Sequence, residues 1–282
     1  MKKLMQKVTG VALATLMAAS SAGLGVFAAE DGADKIVNVG VTDSLGGVNP
    51  LMMDQTEINK YAADLQFLPL VELDPELNFQ PMLADSVTTE DNQTFTVHID
   101  DAATWSDGTP VTAEDVEFTI LRLASPVVNN TTMMLYAFEG IGDDGFTEEG
   151  ATSIDGIKVV DDKTITFTAK SPMALTTFEN TYGRYIHTLP KHVLADYSDE
   201  ELMTLDWFNH PDVISGPYFL TDYDTDHYVS YEANADYWKG APKIGKLNLK
   251  IVEGSQIYSG LQSGEIDITH HTMTAIPQED YE

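Results

Sequence analysis

The chain has 282 residues, enough for one large domain or two ordinary ones. Its 15 lysines and arginines stand against 45 aspartates and glutamates, and the formal charge of −30 excludes electrostatic binding to nucleic acids or to an anionic membrane surface. Cysteine is absent from the sequence, which excludes disulfides, thiolate metal sites and thiol nucleophiles.

Residues 1–28 have the pattern of a secretory signal peptide. Lysines at positions 2, 3 and 7 precede an apolar run, and small residues at Val26 and Ala28 suit a cleavage point after Ala28. The alternative, a membrane anchor, is disfavoured by the glycines and serines that follow the apolar run. We therefore expect an extracellular or periplasmic protein that is exported by a cleaved signal peptide and has no cysteine for a lipid anchor.

The next stretch predicts a strand, a loop, a helix and a second strand. Ile36–Val41 alternates and is rich in β-branched residues, which is typical of a strand. Residues 43–50 contain glycines and a proline and indicate a loop. Apolar residues recur at helical spacing within Glu57–Leu68, so this segment is predicted to form a helix that Pro69 ends. A short strand is predicted at 70–73.

The middle of the chain predicts strands, turns and a capped helix. Thr94–Ile99 alternates as a half-buried strand, and Ser106–Pro110 has the composition of a turn. Thr112 is a typical N-cap residue, and acids follow it in the first turn of the predicted helix. Residues 157–168 predict a β-hairpin that turns at Asp161–Lys163.

The remaining chain adds further short elements. Strands are predicted at 218–220, 228–231, 247–252 and 266–268, with a helical turn at 257–262. Many short strands with interspersed helices indicate a mixed α/β protein with antiparallel pairing.

The sequence contains no recognised motif for catalysis or metal binding. There is no phosphate-binding glycine loop of the Walker type and no Gly-x-Ser-x-Gly motif. Asp222, Asp224 and Asp226 imitate the start of a calcium loop, but His227 stands where that loop needs glycine and Ala233 where it needs glutamate. We therefore predict no catalytic residue, no metal and no cofactor, and we expect a protein that is not an enzyme.

Four segments, in order and spacing, carry a family resemblance. They are 67–74 with 81–86, 94–99 with 105–116, 215–220 with 234–238, and 261–268. Together they resemble the extracellular solute-binding receptors of ABC importers, in the peptide- and nickel-binding family, family 5. Most residues of these motifs suit turns, caps and core packing, so they indicate the family without marking a ligand site.

The resemblance implies a periplasmic-binding-protein-like lobe of class II, α/β, with a mixed β-sheet and an inserted α/β subdomain. Two such lobes close on a ligand by a hinge motion. The implied boundaries assign 29–72 to the first part of lobe I, 73–196 to the inserted subdomain, 197–268 to the continuation of lobe I, and 269–282 to the start of the hinge. The second lobe is expected to be absent from this chain.

The resemblance also implies where a ligand would bind. Four residues after the Asn49-Pro50 turn stand where relatives face the ligand cleft: Met53, Asp54, Gln55 and Thr56. Peptide receptors of this family hold the ligand backbone much as an added β-strand is held. Asp54 is then a candidate partner for a cationic group of the ligand. An ordinary surface loop is the alternative.

Further candidates lie later in the chain. Met134 and Tyr136 stand where the inserted subdomain approaches the cleft in relatives, and these residue types suit an adaptable apolar wall. Plain core packing is the alternative for both. Glu253 lies near the expected hinge and could reach the cleft.

Tyr182 and Arg184 precede the step at 189–191 that borders the ligand in relatives. The resemblance makes Arg184 a candidate clamp for a ligand carboxylate, since guanidinium and carboxylate groups match in geometry. A surface salt bridge to one of the many acids of this chain is the alternative.

The implied function is that of an ABC importer's receptor, which binds oligopeptides or dipeptides and delivers them to a membrane permease. The expected partners are a peptide or other small solute and the permease, with no nucleic acid, and the receptor is expected to be a monomer. Three alternatives stay open: a receptor for an oligosaccharide or a nickel complex, a non-transporting interaction or sensor protein made from one lobe, and, ranked last, a secreted hydrolase.

Overall fold

The computed structural model describes residues 35–54, 56–133 and 135–270. The predicted signal peptide and most of the predicted hinge segment lie outside the described residues. The strands are β1 (Ile36–Val41), β2 (Val71–Leu73), β3 (Phe79–Pro81), β4 (Ala84–Thr88), β5 (Thr94–Ile99), β6 (Ile157–Val159), β7 (Thr164–Thr168), β8 (Tyr218–Asp224), β9 (Tyr228–Ala233), β10 (Lys246–Ile251) and β11 (Ile268–Thr269). The α-helices are α1 (Glu57–Asp64), α2 (Ala113–Leu123), α3 (Leu175–Phe178), α4 (Lys191–Leu194), α5 (Asp199–Thr204) and α6 (Gly254–Ser263).

The first sheet is mixed and has the strand order β11-β1-β10-β9-β8. β1 runs parallel to β10, with Val39 opposite Leu249, and parallel to the short β11. β8, β9 and β10 follow one another as antiparallel neighbours. A mixed α/β architecture with antiparallel pairing, as predicted from the sequence, is confirmed.

The second sheet is antiparallel, with the order β4-β5-β7-β6. Its central strand β5 alternates between buried and half-buried residues, as the sequence predicted for this segment. The predicted hairpin is present, and Lys163 N donates to Asp161 Oδ1 at 2.9 Å in its turn. The chain leaves the first sheet after β1 and returns to it at β8, so this sheet is built from an inserted segment. The predicted boundaries of that insertion, 73–196, stay a prediction.

Local caps fix the helices of the inserted segment. The Ser106–Pro110 turn holds Gly108 at a φ of +84°, a conformation that glycine adopts without strain. Thr112 caps α2, and its backbone N donates to Asp115 Oδ2 at 2.8 Å. The second oxygen of the buried Asp115 accepts from Lys191 N at 2.9 Å, which holds the start of α4 against α2.

Helix α1 ends earlier than predicted, at Asp64 instead of Leu68. The carbonyl of Leu65 accepts from Tyr218 N at 2.9 Å, so the chain after α1 pairs with the start of β8 and does not continue the helix. A Cβ at Gly216 would lie only 2.4 Å from Leu65 O, and glycine is therefore required at this close approach.

Two apolar cores support the structure. The larger fills the inserted segment, where Phe95 stacks on Phe178 with ring centroids 4.5 Å apart. The smaller lies between α1 and the first sheet and includes Ile58, Val41 and Leu249. Over the described ranges, the chain contains no helix with the length and apolar character to span a bilayer.

Candidate functional site

The candidate site lies at one edge of the first sheet. Because β1 and β10 are parallel, their carboxyl ends meet at the same edge, and Val252 N donates to Val41 O there at 2.9 Å. Open α/β sheets bind ligands outside the carboxyl ends of their strands. The loop after β1, described from residue 42 to residue 54, lies at this edge. The exposed Glu253 comes two residues after β10 and is the N-cap residue of helix α6.

The loop after β1 is held by the side chain and carbonyl of Asn49. Its Oδ1 accepts from Leu51 N at 3.0 Å, and its carbonyl accepts from Met52 N and Met53 N at 3.0 and 3.1 Å. Its Nδ2 donates to Leu202 O at 2.9 Å, which joins the loop to helix α5. Leu51 is fully buried and also holds the loop in place, whereas Met53 is half-buried at the surface.

The carboxylate of Asp54 is exposed but held in place. Thr56 Oγ1 donates to Asp54 Oδ1 at 3.1 Å, and Asn59 Nδ2 donates to the same oxygen. Asn59 is almost completely buried on α1, and its Oδ1 accepts from Gly46 N at 2.7 Å. One buried amide therefore positions both ends of the loop and orients a negative charge outward.

Two backbone donors beside this carboxylate are unused. The amide groups of Asp54 and Thr56 make no hydrogen bond within the part of the chain that the structure describes. Both residues are exposed at the sheet edge. An extended backbone could accept from them, as in the addition of a strand.

At this point the nominated loop lies beside Met133 and Tyr185, each of which is next in sequence to a nominated residue. Met53 and Asp54 share a small cavity of about 10 Å³, room for roughly one water molecule, with Met133 and Tyr185. Asn130 also lines it and donates from Nδ2 to Leu51 O at 3.0 Å. Gln55 and Met134, predicted as ligand contacts, lie outside the described residues.

The two nominated tyrosines differ in their surroundings. Tyr136 lies in a short 3₁₀ helix and is 48% exposed. Tyr182 is only 4% exposed, and its ring lies 4.6 Å from that of Phe138 and 5.9 Å from that of Phe178. Burial, with a smaller contribution from Tyr136, raises the pKa of Tyr182 to about 12. Tyr182 thus packs in the aromatic core, where it does not face a ligand cleft.

Arg184 belongs to a buried charge network that the sequence did not reveal. Its Nε donates to Glu72 Oε1 at 2.7 Å, and Glu72 also accepts from Lys60 Nζ. Lys60 Nζ donates to Asp64 Oδ2 at 2.7 Å, and Asp64 Oδ1 is 2.8 Å from His187 Nε2. Arg184 Nη1 donates to Asn180 Oδ1 at 3.3 Å, and with only 8% of the residue exposed, little of the guanidinium is open to a ligand carboxylate.

The carboxylates keep both basic side chains of this network charged. Burial alone would lower the pKa of Lys60, but the attraction of Asp64 and Glu72 and their hydrogen bonds outweigh it and raise that pKa. Burial likewise opposes the charge of Arg184, and Glu72 raises the pKa of this guanidinium above its usual value. The only local signal was the spacing of Lys60 and Asp64, four residues apart on one helix face.

A larger cavity of about 350 Å³ lies on the face of the first sheet, and Asp64 and Glu72 of the charge network line part of it. Val39, Leu247 and Leu249 form its floor, and Tyr61 and Leu65 form a side wall. None of the nominated ligand contacts lines it among the described residues. We take the sheet edge, where the nominated loop lies, as the candidate functional site.

The acidic turn of β8 and β9 does not form a metal site. Tyr228 Oη donates to Asp222 Oδ2 at 2.7 Å, and His227 Nδ1 lies 2.8 Å from Asp224 Oδ1. Across the described parts of the chain, no three or more histidines and acids are grouped so as to hold a metal ion.

Comparison with known proteins places these observations in a family. Residues 78–281 match the bacterial extracellular solute-binding proteins, family 5 Middle. The periplasmic oligopeptide-binding protein OppA of Salmonella typhimurium is 26% identical over 277 residues, which cover 94% of this chain and 48% of that protein. The dipeptide-binding protein DppE of Bacillus subtilis is 28% identical over 199 residues, 68% of this chain and 35% of that protein.

A solved structure shares the fold. Haemophilus influenzae OppA, crystallised in complex with the peptide RPPGFSPFR, superposes with a TM-score of 0.71 at 23% identity, over 88% of this chain and 47% of that chain. The chain spans about half the length, or less, of these relatives.

Proposed function

The chain belongs to the bacterial extracellular solute-binding proteins of family 5, and we propose that it forms one ligand-binding wall of a receptor for oligopeptides or dipeptides. Members of this family are solute receptors and not enzymes. The two relatives compared above are named for oligopeptide and dipeptide binding. The receptor acts outside the cytoplasmic membrane, after cleavage of the signal peptide, and delivers its ligand to an ABC permease.

The unused amides of Asp54 and Thr56 are the observation that carries this proposal. A peptide lying along the loop would offer carbonyl oxygens to these two donors, as an added strand does at a sheet edge. Main-chain bonds of this kind do not depend on the ligand's side chains. They suit a receptor that accepts peptides of varied sequence.

The charge of the exposed carboxylate determines which end of the peptide binds to this wall. The carboxylate of Asp54 is exposed and already oriented by Asn59, so it can accept a hydrogen bond from an ammonium group at little further cost in entropy. Arg184, the alternative partner for a ligand, is occupied by Glu72. We therefore assign the amino terminus of the peptide, or another cationic group, to Asp54.

Isothermal titration calorimetry tests this assignment with two ligands and two variants. Tetra-alanine has a free ammonium group, and its Nα-acetylated form has none. We expect acetylation and the substitution Asp54→Asn each to weaken binding about tenfold, as for a hydrogen bond to a charged group. The two losses should not add, because they remove the same contact. Glu149→Gln removes one charge from an exposed loop and should leave the affinity unchanged.

The same titration discriminates against the other ligand classes. RPPGFSPFR, a maltooligosaccharide series and a nickel–histidine complex complete the ligand set. Saturable heat with the peptides alone supports the proposal. Saturation by an oligosaccharide or by the nickel complex, without saturation by any peptide, would replace it with the corresponding receptor. Additive losses from acetylation and from Asp54→Asn would remove Asp54 from the contact with the amino terminus.

A further inference from the structure

Three methionines from two separate segments line one further cavity, of about 280 Å³. Met52 and Met53 belong to the loop after β1, and Met203 belongs to the end of helix α5. Met52 is 47% exposed, so the cavity is open to solvent on its side. The chain has 11 methionines and no cysteine, and thioethers are therefore the only sulfur groups that it can offer to a metal ion.

The backbone that carries these three side chains is held by contacts within the protein. Asn49 Nδ2 donates to Leu202 O at 2.9 Å, and this bond joins the loop to the helix one residue before Met203. Phe208, which also lines the cavity, is 2% exposed. A methionine side chain has three rotatable bonds, so its sulfur can move to meet an ion while the backbone stays in place. The two walls can thus present three sulfurs to one ion.

The other groups in this cavity favour no hard cation. Among the described residues that line it there is no carboxylate and no imidazole. Asn49 Oδ1 accepts from Leu51 N at 3.0 Å. Asn209 Oδ1 accepts from Tyr223 Oη at 2.7 Å, so both side-chain amide oxygens are already engaged. Calcium and magnesium need several oxygen ligands, and zinc prefers imidazole, thiolate and carboxylate ligands.

We propose that this cavity is a binding site for copper(I), with the sulfurs of Met52, Met53 and Met203 as ligands. Thioethers are soft ligands, and copper(I) is the soft ion that selects them. The prediction of no metal site concerned cysteines, histidines and acids, and thioethers are a different class of ligand. The formal charge of −30 attracts cations to a site whose own ligands are neutral. This site is independent of peptide binding.

Competition with the chelator bicinchoninate, whose copper(I) complex absorbs visible light, tests the proposal. The full chain is titrated without oxygen and with ascorbate, which keeps the copper reduced. Met52→Leu and Met203→Leu should each weaken copper(I) binding about tenfold or more, since even the loss of a group that only supports a ligand costs this much. Leucine has a similar volume and keeps the packing. Met173→Leu makes the same change at a half-buried methionine outside the cavity and should leave the affinity unchanged.

Two further measurements need no substitution and so do not depend on the stability of a variant. In protein with carbon-13-labelled methionine methyl groups, copper(I) should shift three methyl resonances and leave that of Met173 in place. The affinity should also be equal at about pH 6 and about pH 8, because a thioether has no proton to release, whereas histidine ligands would weaken at the lower pH.

Three results would overturn the copper(I) site. They are an affinity that neither Met52→Leu nor Met203→Leu changes, an affinity that falls steeply between pH 8 and pH 6 as histidine ligands require, and displacement of the copper(I) by an equal concentration of zinc. None of these results involves a peptide. Failure of the copper(I) site therefore leaves the peptide titrations, and the proposed function, unaffected.

Discussion

Replacing Lys60 with methionine should destabilise the protein more than any other loss of a single lysine charge. The side chain of Lys60 is completely buried, and its ammonium group binds the carboxylates of both Asp64 and Glu72. These carboxylates are only 12% and 14% exposed. Methionine has a similar length and fills the space, so the experiment removes the charge and leaves most of the packing.

The expected loss in the free energy of unfolding depends on which ion-pair partners Asp64 and Glu72 keep when Lys60 is replaced. Removing one partner of a buried ion pair costs about 3–5 kcal/mol, because the remaining charge is left without compensation. Here Glu72 keeps Arg184 Nε at 2.7 Å, and Asp64 keeps His187 Nε2 at 2.8 Å. The loss should therefore lie at the lower end, about 3 kcal/mol.

Urea denaturation followed by circular dichroism measures this loss as a change in midpoint at constant slope. The matched control is Lys158→Met, which removes the same charge from an exposed residue on β6 and should change the free energy of unfolding by less than about 0.5 kcal/mol. Equal midpoints for the two variants would refute the reasoning, since the buried network would then contribute nothing.

The contribution of this charge network to stability should change with pH in a defined direction. The pKa of Lys60 in the folded protein lies above its usual value of 10.5, so between these two values the folded state binds more protons than the unfolded state. The contribution of Lys60 is fully present below pH 10.5 and is lost as the pH rises through the higher folded value. In Lys60→Met this alkaline loss should be smaller than in the unsubstituted protein.

Two further predictions concern close contacts elsewhere. Gly216→Ala should lower the free energy of unfolding by about 1–3 kcal/mol in the same urea assay, because the Cβ of the alanine would lie 2.4 Å from Leu65 O. An unchanged urea midpoint would show that the contact between residue 216 and Leu65 O is not tight. Tyr182 should ionise with a pKa of about 12 in ultraviolet difference titration, and Tyr182→Phe should abolish that ionisation step. Because the pKa is raised in the folded protein, the contribution of Tyr182 to stability is lost as the pH rises above 10. A normal titration near pH 10 would place this ring in water and contradict its core position.

Local patterns in the sequence predicted the elements that local physics determines. β1 at Ile36–Val41 and β5 at Thr94–Ile99 have the predicted bounds. In β5 buried and half-buried residues alternate along the strand, whereas burial in β1 increases toward Val41. The N-cap at Thr112 was equally predictable, since its partner Asp115 is three residues away. The nominated loop at 53–56 came from the family resemblance, and its role in ligand binding stays a prediction.

What could not be predicted depends on distant partners. Nothing near Lys60 in the sequence indicates that its side chain is buried. Its partner Glu72 lies 12 residues later in the chain, and Arg184, which also binds Glu72, lies 112 residues after Glu72. The end of α1 is set by Leu65 O and its bond to Tyr218 N, in a strand much later in the chain. Such contacts follow from the topology and not from periodicity.

The distribution of buried and exposed charges at this sheet edge determines which end of a peptide can bind there. The buried cations Lys60 and Arg184 are neutralised by Asp64 and Glu72, so they contribute little field at the surface. Asp54 remains exposed, in a chain whose formal charge is −30. A carboxyl terminus placed here would meet like charge, whereas an ammonium group would meet an oriented acceptor. The peptide should therefore lie with its amino terminus at Asp54 and its carboxyl terminus away from this wall.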